Sequence, residues 1–383
     1  MSEKYYRDTI VDVDLAAIGH NYKAVSGMHP DKTFIAVIKA NAYGLGSTAV
    51  AEYLSHIGVD FFAVGTLDEA VELRMHGIRE KILILGPIRP EDMNKAIKHR
   101  IAVTAPSYEW LKRAEQAIED DDGKGVWVHI KVNSGMNRLG VSNIKEVNQM
   151  IALIEASPYL TYEGLFSHLS SAEVDSERPF KEYGTFKSII SQVKKPQFVH
   201  VQNSAGAFHL EADECNAMRI GLSLYGYYPS DFIAGISPVE LKPSVGLVTH
   251  VVDTHVLQEG EGVSYGLKYI ADEKVTIATL PIGYADGFLR SRTGYKVALE
   301  DGTSCPVVGT VCMDYIMIRV PDHVELGDKV HIITPKRHSA QSMESYSDYV
   351  DTIPYESMCK LGRRLPRIYH GTDGSRISNE VLK

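Results

Sequence analysis

Eight short runs rich in β-branched and aromatic residues, each followed by an amphipathic stretch, lie between Thr33 and Leu222. Apolar residues in the intervening stretches are spaced three or four apart, as in helices with one buried face. Such alternation favours a parallel sheet, and eight strands in about 190 residues suit a (β/α)8 barrel. An open doubly wound sheet is the second choice. The predicted strands are Thr33–Lys39, Phe61–Thr66, Lys81–Gly86, Ala102–Ala105, Val126–Val132, Tyr162–His168, Gln197–Asn203 and Met218–Leu222.

The pattern changes near Pro238, where β-rich segments separated by glycine-containing turns begin and helices become few. This composition predicts a mainly β domain. We therefore expect a barrel domain over residues 12–238 and a β domain over 239–383, joined by an N-terminal strand within residues 1–11. Asp120–Gly123 reads as a solvated loop. The predicted strands of the β domain are Val245–Val256, Val275–Pro281, Lys296–Leu299, Pro306–Val311, Tyr315–Arg319 and Lys329–Ile333, followed by helices near Ser342–Val350 and Tyr355–Leu361.

Charge and apolar patterning exclude several classes of protein. The net charge is −9, which disfavours binding to nucleic acid phosphates, and no apolar run approaches the length of a membrane span. The first residues contain no apolar segment of the kind found in signal peptides. The four cysteines form no C-x-x-C pair, so a metal site has no local support, and their sparseness suits a reducing compartment. A cytoplasmic protein is expected.

Five predicted strands end in residues that can carry chemistry: Lys39, Lys131, His168, Asn203 and Arg219. Reacting groups in barrels lie at these carboxyl ends. Lys39 follows a continuous apolar run, and a desolvated lysine has a depressed pKa that favours Schiff-base formation. The alternative is that Lys39 extends its ammonium to solvent at the barrel rim.

Gly44-x-Gly46-x-x-Ala49 follows a predicted strand and precedes a predicted helix, as in a dinucleotide fingerprint. The eight-strand count and Lys39 do not belong to that motif, so the signal is weak. A dinucleotide-dependent oxidoreductase is kept as an alternative, and the glycines could instead simply shape the turn.

Nine motifs, in order across both predicted domains, resemble those of the alanine racemases. The family commonly has His where this chain has Leu45, so one position departs from the pattern. The motifs are AVIKANAYGLG at 36–46 with KVNSGMNRLG at 131–140, SHL at 167–169, H-x-x-NS at 200–204, R-x-G at 219–221, SYG at 264–266, GYADG at 283–287, G-x-x-CMD at 309–314 and IPYE at 353–356.

The resemblance implies a barrel plus a β domain, a homodimer, and pyridoxal 5′-phosphate (PLP) attached to Lys39. PLP acidifies the Cα–H bond of an amino acid, and the protein supplies bases on both faces of Cα. Lys39 is implied as one base and Tyr265, from the partner subunit, as the other. The implied activity is interconversion of L- and D-alanine, which supplies D-alanine for peptidoglycan precursors.

The resemblance also assigns residues around the cofactor and substrate. Arg138 is implied to steer the substrate carboxylate with Met313 and Tyr284, while Lys131, as a carbamate, would pair with Arg138. Cys312 and Asp314 match supporting positions. The implied PLP-binding residues are Lys39, Tyr43, His168, Asn203, Ser204, Arg219, Gly221, Leu222 and Tyr355.

The arginine at position 219 bears on the electrostatics of the cofactor, because a guanidinium can only donate hydrogen bonds. Facing the pyridine nitrogen of PLP, it would keep that nitrogen unprotonated and make the ring a weaker electron sink. We hypothesise that this favours return of a proton to Cα over transamination. Two PLP-dependent alternatives stay open: a decarboxylase, which would release carbon dioxide, and a non-catalytic PLP-binding protein, which would need neither Tyr265 nor the Cys312–Asp314 segment.

Overall fold

The structure, a computed structural model, describes residues 5–119, 125–371 and 374–382. The predicted loop at Asp120–Gly123 and the first four residues of the chain lie outside the described residues. The domain boundaries predicted at residues 12, 239 and 383 stay predictions. The chain divides into two compact units, a barrel unit of Gly19–Ala42 and Ser47–Leu241 and a β unit of Met1–Ile18, Tyr43–Gly46 and Lys242–Lys383.

The strands are numbered in chain order. Those of the barrel unit are β2 to β9, and the others belong to the β unit. They are β1 Ile10–Asp14, β2 Thr33–Val37, β3 Phe61–Val64, β4 Lys81–Ile84, β5 Val103–Ala105, β6 Val126–Lys131, β7 Leu160–Phe166, β8 Phe198–His200, β9 Ala217–Ile220, β10 Val245–His250, β11 Asp253–Leu257, β12 Gly262–Val263, β13 Tyr269–Ile270, β14 Val275–Leu280, β15 Lys296–Leu299, β16 Ser304–Val308, β17 Ile316–Val320, β18 Lys329–Ile333, β19 Arg367–Gly371 and β20 Gly374–Ser378.

The barrel sheet has the order β4-β3-β2-β9-β8-β7-β6-β5. All its pairings are parallel, and a bridge between Leu83 and Ala102 connects β4 to β5 and closes the circle. The eight predicted runs therefore form the eight barrel strands, and the prediction of a (β/α)8 barrel is confirmed. The closed sheet also removes the doubly wound alternative.

Helices begin where side chains cap their first turn. Thr66 and Glu69 form a reciprocal capping box, and Ser107 and Asn143 each accept a backbone N–H of the helix that follows. In the described residues, no helix is long and apolar enough to cross a membrane. The α-helices are Leu15–Gly27, Ser47–His56, Leu67–Met75, Met93–Lys98, Tyr108–Gln116, Ile144–Ala156, Arg178–Ile190, Gly206–His209, Asp231–Ile236, Met343–Asp348 and Pro354–Cys359, and the 3₁₀ turns are Pro90–Asp92, Leu222–Tyr225, Tyr265–Leu267, Tyr284–Asp286 and Arg290–Arg292.

The β unit contains a ten-stranded sheet of order β11-β14-β17-β16-β15-β18-β10-β1-β19-β20. Strand β1 lies between antiparallel β10 and parallel β19, so a strand from the start of the chain completes this sheet. The single strand predicted over Val245–Val256 is wrong: β10 pairs with β1 and β18, whereas β11 pairs with β14. Strands β19 and β20 were not predicted. Their sequences are polar, are bounded by glycine and lack a clear apolar alternation.

Arg367, at the start of β19, is a buried structural cation. Its guanidinium donates to the carbonyl oxygens of Gly44 (2.9 Å), Gly362 (2.8 Å), Leu361 (2.8 Å) and Leu365 (2.7 Å). Only 2% of the side chain is exposed. One arginine therefore donates to four carbonyl groups inside the β unit, of which that of Gly362 also accepts the Leu365 N–H (3.2 Å).

Replacing Arg367 by Leu should destabilise the protein by about 3–5 kcal/mol, because buried carbonyl groups lose their donors. Urea unfolding followed by circular dichroism measures this difference. The matched control is Arg363→Leu, since Arg363 is exposed, and its midpoint should stay close to that of the wild type. Equal midpoints for both variants would contradict the structural role.

Candidate active site

Cationic side chains gather at the carboxyl end of the barrel. The pKa of His168 lies well below its usual value because of burial, and because Arg219, Lys131, Arg138 and Lys39 all repel a protonated imidazole. The structure thus brings together four of the basic residues that the sequence placed in the site. The guanidinium groups of Arg219 and Arg138 form a positive field there, which stabilises an anionic oxygen placed in it.

Arg219 is buried and held from several sides. Its Nη1 donates to His200 Nδ1 (2.6 Å) and to the His200 carbonyl (3.2 Å). Its Nη2 donates to the carbonyls of Ser167 (2.8 Å) and Val201 (3.3 Å) and to His168 Nδ1 (3.2 Å). Burial lowers the pKa of Arg219 to about 10, so the group remains a cation at neutral pH. Nε is the guanidinium nitrogen that makes none of these bonds.

Lys131, at the end of β6, is buried among apolar and cationic groups. Its side chain is 7% exposed, and Nζ lies 4.7 Å from the centre of the Phe166 ring. Burial, followed by repulsion from Arg219 and Arg138, holds the pKa of Lys131 well below its usual range. The amine is therefore disposed to be neutral, which is the nucleophilic form of a lysine.

Lys39 begins a left-handed turn. Ala40, Asn41, Ala42 and Tyr43 have φ between 52° and 56°, a conformation that costs residues other than glycine roughly 1–2 kcal/mol each. The Ala42 N–H donates to the Ile38 carbonyl (2.9 Å), which closes the turn. Such strain persists only where the surroundings hold it, and here it fixes the backbone that carries the lysine.

Glu69 is the anchor of that turn. Its carboxylate accepts the Ala40 N–H (2.6 Å) and also the N–H groups of Gly65 (2.7 Å) and Thr66 (3.2 Å). The end of β3, the following helix and the lysine turn therefore share one acceptor. On the other side of the turn, Asn41 Oδ1 accepts the Ser47 N–H (2.8 Å).

We call the turn that follows β9, together with Ser204, the Ser204 cradle. Ser204 Oγ accepts the N–H groups of Gly221 (3.0 Å) and Ser223 (3.4 Å), so its own hydrogen is available to donate. Leu222 begins a 3₁₀ turn at the same place. The neighbouring Asn203 instead caps the next helix, accepting the Gly206 N–H at 2.9 Å. Because β2 and β9 pair side by side, the lysine turn and this cradle follow adjacent strands.

Tyr43 and Tyr355 lie together in the β unit, with ring centres 6.0 Å apart. Burial, with Tyr355 and Cys359 nearby, raises the pKa of Tyr43, so its hydroxyl stays protonated. Gly44 and Gly46 have φ of 87° and 102°. A Cβ on Gly44 would lie 2.3 Å from the Met358 carbonyl oxygen, so close packing requires glycine there. This leaves the dinucleotide alternative without support.

A second group of predicted residues surrounds Tyr265, also in the β unit. Tyr265 is 75% exposed and Met313 is 52% exposed, and together with Cys312 and Asp314 they line a cavity of about 730 Å³. The Tyr284 N–H donates to the Cys312 carbonyl (3.0 Å), which ties the two motifs to each other.

Arg364 supports this second group. It donates to Asp314 Oδ1 (2.8 Å) and to both oxygens of buried Asp286 (3.0 and 3.2 Å), which Arg7 also contacts. Burial acts to raise the pKa of Asp286, but the hydrogen bonds from Arg7 and Arg364 outweigh it and lower that pKa. The carboxylate is therefore a fixed anion that orients Arg364 and, through it, Asp314.

The predicted residues thus fall into a barrel set and a β-unit set, each assembled around its own supports. Sequence reasoning assigned no role to Glu69, His200 or Arg364. Glu69 carried a detectable signal, since it stands three residues after Thr66 in a capping box. No sequence signal pointed to Arg364, because its two carboxylate partners, Asp286 and Asp314, are distant in sequence.

Comparisons with known proteins agree with this geometry. Residues 13–229 match the family model "Alanine racemase, N-terminal domain", and residues 244–369 match "Alanine racemase, C-terminal domain". An alanine racemase of Staphylococcus epidermidis is 47% identical over all of both chains. A crystal structure of alanine racemase from Bacillus anthracis with bound L-Ala-P has a TM-score of 0.93 and 35% identity, covering 99% of this chain and 100% of that one. The alanine racemase of Clostridium difficile has a TM-score of 0.92 and 33% identity, with the same coverage.

Replacing Glu69 by Ala should release the lysine turn, because three backbone N–H groups lose a charged acceptor, at a cost of about 2–4 kcal/mol. Hydrogen exchange of the Ala40 amide should accelerate far more than that of other amides. Asp68→Ala is the matched control, since Asp68 is exposed in the same helical turn. Unchanged exchange at Ala40 in the Glu69 variant would show that the turn is held by other contacts.

Proposed function

This chain belongs to the alanine racemase family and interconverts L-alanine and D-alanine with PLP, and we propose that Lys39 and Tyr265 are its two bases. The observation that carries the proposal is the convergence of Lys39, Arg219 and the Ser204 cradle on adjacent parts of one barrel end. These three groups suit a phosphorylated aldehyde: Lys39 can bond to the aldehyde, the Ser204 cradle can hold the phosphate, and Arg219 can only donate hydrogen bonds.

The donor set fits PLP group by group. Lys39 would carry the cofactor, while Ser204, Gly221 and Leu222 would hold its phosphate together with the hydroxyls of Tyr43 and Tyr355. A serine hydroxyl and the N–H at the start of a helical turn commonly bind phosphate. Gly221 would act by letting the backbone approach closely, since its own N–H already donates to Ser204 Oγ. Asn203 would act through its helix cap, keeping the loop of Ser204 in place.

Arg219 would face the ring nitrogen of the cofactor through Nε, with His168 and His200 accepting from its other nitrogens. Because the guanidinium remains protonated at neutral pH, it can donate a hydrogen bond but cannot pass on a proton readily. The bound cofactor supplies the acidification of Cα–H. Arg219 would limit how far the resulting charge spreads into the ring.

Proton transfer at Cα is assigned to Lys39 Nζ on one face and Tyr265 Oη on the other. The left-handed turn fixes where the lysine amine can reach, so proximity replaces a diffusional encounter. We assign Tyr265 to the barrel of the partner subunit, where the positive field described above would stabilise a phenolate.

The substrate carboxylate is assigned to Arg138, the backbone N–H of Met313 and Tyr284. Cys312 and Asp314 would support this part of the site, Asp314 through its bond to Arg364. Tyr265 and Tyr355 would narrow the entry to the site, which would favour the methyl side chain of alanine. The protein would act in the cytoplasm, and its D-alanine would enter peptidoglycan precursors.

A homodimer is proposed from the exposure of apolar residues around Tyr265. Leu267, Tyr315 and Tyr284 are 55%, 48% and 41% exposed, in addition to Tyr265 and Met313. Large exposed apolar side chains on one face are typical of an interaction surface. A second copy of the chain would cover this face and would place Tyr265 in a neighbouring site.

Mixing two inactive variants tests the shared site. Lys39→Ala and Tyr265→Phe should each lower turnover by more than about 10²-fold, because each removes one general acid–base group. Subunits exchanged between the two variants should recover about a quarter of wild-type activity, since half the dimers are mixed and each has one intact site. The measurement is decay of the circular dichroism of L-alanine.

Tyr269→Phe is the matched control, since Tyr269 lies in the same short hairpin and its buried hydroxyl has no hydrogen-bond partner among the residues that the structure describes. It should retain wild-type activity. Absence of recovery on mixing, despite proven subunit exchange, would place both bases in one subunit. Release of carbon dioxide from alanine would instead support the decarboxylase alternative.

Lys131 is proposed to be carbamylated, because a neutral buried amine reacts with carbon dioxide and the anion would then pair with Arg138. The wild type in carbon-13 bicarbonate should show one slowly exchanging carbamate resonance by NMR. Lys131→Met should lack it. A wild-type spectrum without that resonance would leave Lys131 as an unmodified amine.

A further inference from the structure

A file of four side chains crosses the barrel interior beneath Arg219. His200 Nδ1 lies 2.6 Å from Arg219 Nη1, and His200 Nε2 lies 3.0 Å from His129 Nδ1. His129 Nε2 lies 3.1 Å from Glu163 Oε2, and Glu163 Oε1 accepts from Lys81 Nζ. Lys81 stands at the start of β4, so the file runs from the site toward the amino end of the barrel.

Three of the four side chains in the file are shielded from water, and Lys81, at the outer end, has a side chain that is 39% exposed. His129 and His200 are completely buried and Glu163 is 3% exposed. Phe198 stacks on the His129 ring at 6.3 Å, and Phe166 stacks on the His200 ring at 4.8 Å. Hydrogen bonds in such low-dielectric surroundings are stronger, and mismatched ones are correspondingly costly.

The direction of each hydrogen bond between Arg219 and Glu163 follows from these two groups, because the guanidinium can only donate and the carboxylate can only accept. Glu163, as a carboxylate, only accepts, so His129 Nε2 must carry a hydrogen. Burial lowers the pKa of both imidazoles, and in His129 it outweighs the Glu163 carboxylate, which acts to raise that pKa; the Arg219 charge lowers both, so each ring is neutral and has a single N–H. His129 Nδ1 therefore accepts from His200 Nε2–H. His200 Nδ1 is then an acceptor, which matches Arg219, a group that only donates.

The strands are built to hold this file. In the pairing of β6 with β7, Val128 is opposite Tyr162 but His129 is opposite Gly164, so Glu163 is an extra residue in a β-bulge. Bulges redirect side chains. A Cβ on Gly164 would lie 2.0 Å from His129 Nδ1, so only glycine leaves room for the imidazole.

We propose that Glu163 and His129 are positioning residues for the racemase reaction: through His200 they set the acceptor that orients Arg219 toward the cofactor. This rests on the role proposed above for Arg219. Glu163 lies two imidazole rings away from Arg219, and its effect is to select one hydrogen position on each ring.

Glu163→Gln should reverse the file. Lys81 can only donate, so it attracts the amide oxygen and turns the amide NH₂ toward His129. His129 Nε2 then becomes the acceptor, both rings change tautomer, and His200 presents an N–H to the N–H of Arg219. Nitrogen-15 NMR of the imidazoles in cofactor-free protein should show Nε2–H on both rings in the wild type and Nδ1–H in the variant.

In the PLP-loaded enzyme the same variant should lower kcat by about tenfold with KM changed less than twofold, because supporting residues of this kind affect the reacting geometry more than binding. Lys81→Met/Glu163→Gln should recover most of the loss, since the amide can again present its oxygen to His129. Thr104→Val is the structural control: Thr104 stands opposite His129 in the pairing of β5 with β6, but its Oγ1 donates to the Ile84 carbonyl (2.7 Å) and not to a member of the file. It should lower stability and leave kcat and the tautomers unchanged.

The NMR spectra test the tautomers of the two imidazoles, and kcat tests the positioning role. Wild-type His200 with its hydrogen on Nδ1 would overturn the proposal without any variant, even if Glu163→Gln fails to fold. Reversed tautomers with an unchanged kcat would also overturn the positioning role. A loss of kcat in Glu163→Gln that Lys81→Met does not relieve would contradict the selection of tautomers by Lys81. The imidazole spectra require no cofactor, so they remain decisive even if the role of Arg219 were disproved.

Discussion

The burial of the Arg219 cation is the constraint on which the barrel unit depends. A guanidinium taken out of water must receive acceptors for its N–H groups, and here carbonyls of Ser167, Val201 and His200 and two neutral imidazoles supply them. Every one of these acceptors lies at the end of β7 or β8 or just after it. The geometry of three neighbouring strands is therefore set by one charge.

The same charge shapes the chemistry of its neighbours. It lowers the pKa of His168 and His200, after burial itself, and so keeps both imidazoles neutral acceptors. It also contributes to the depressed pKa of Lys131. Arg219 keeps its charge at neutral pH, and it thereby fixes the protonation of His168 and His200. The hydrogen bonds between Arg219 and these imidazoles can therefore run in one direction only, from Arg219 to the ring.

Several parts of the structure were visible in the sequence because they depend on local pattern. The eight barrel strands follow from apolar runs, and the capping box of Thr66 and Glu69 follows from spacing within one turn. The run Val245–Val256 was misread as one strand, because periodicity does not reveal that its two halves pair with different neighbours. The motif at Lys39 was readable, but its left-handed conformation was not, since Asn41 alone favours that conformation locally and Ala40, Ala42 and Tyr43 do not.

The order of the barrel strands, the position of Lys39 at a strand end and the set of residue types at the strand ends were determined by the sequence alone. Periodicity and strand ends are properties of neighbouring residues. Only the tertiary structure decided that Glu69 anchors the lysine turn, that Arg364 joins two carboxylates, and that a bulge at Glu163 aligns a file of imidazoles beneath Arg219. These contacts join residues far apart in the chain, and the closing of a sheet brings them within hydrogen-bonding distance.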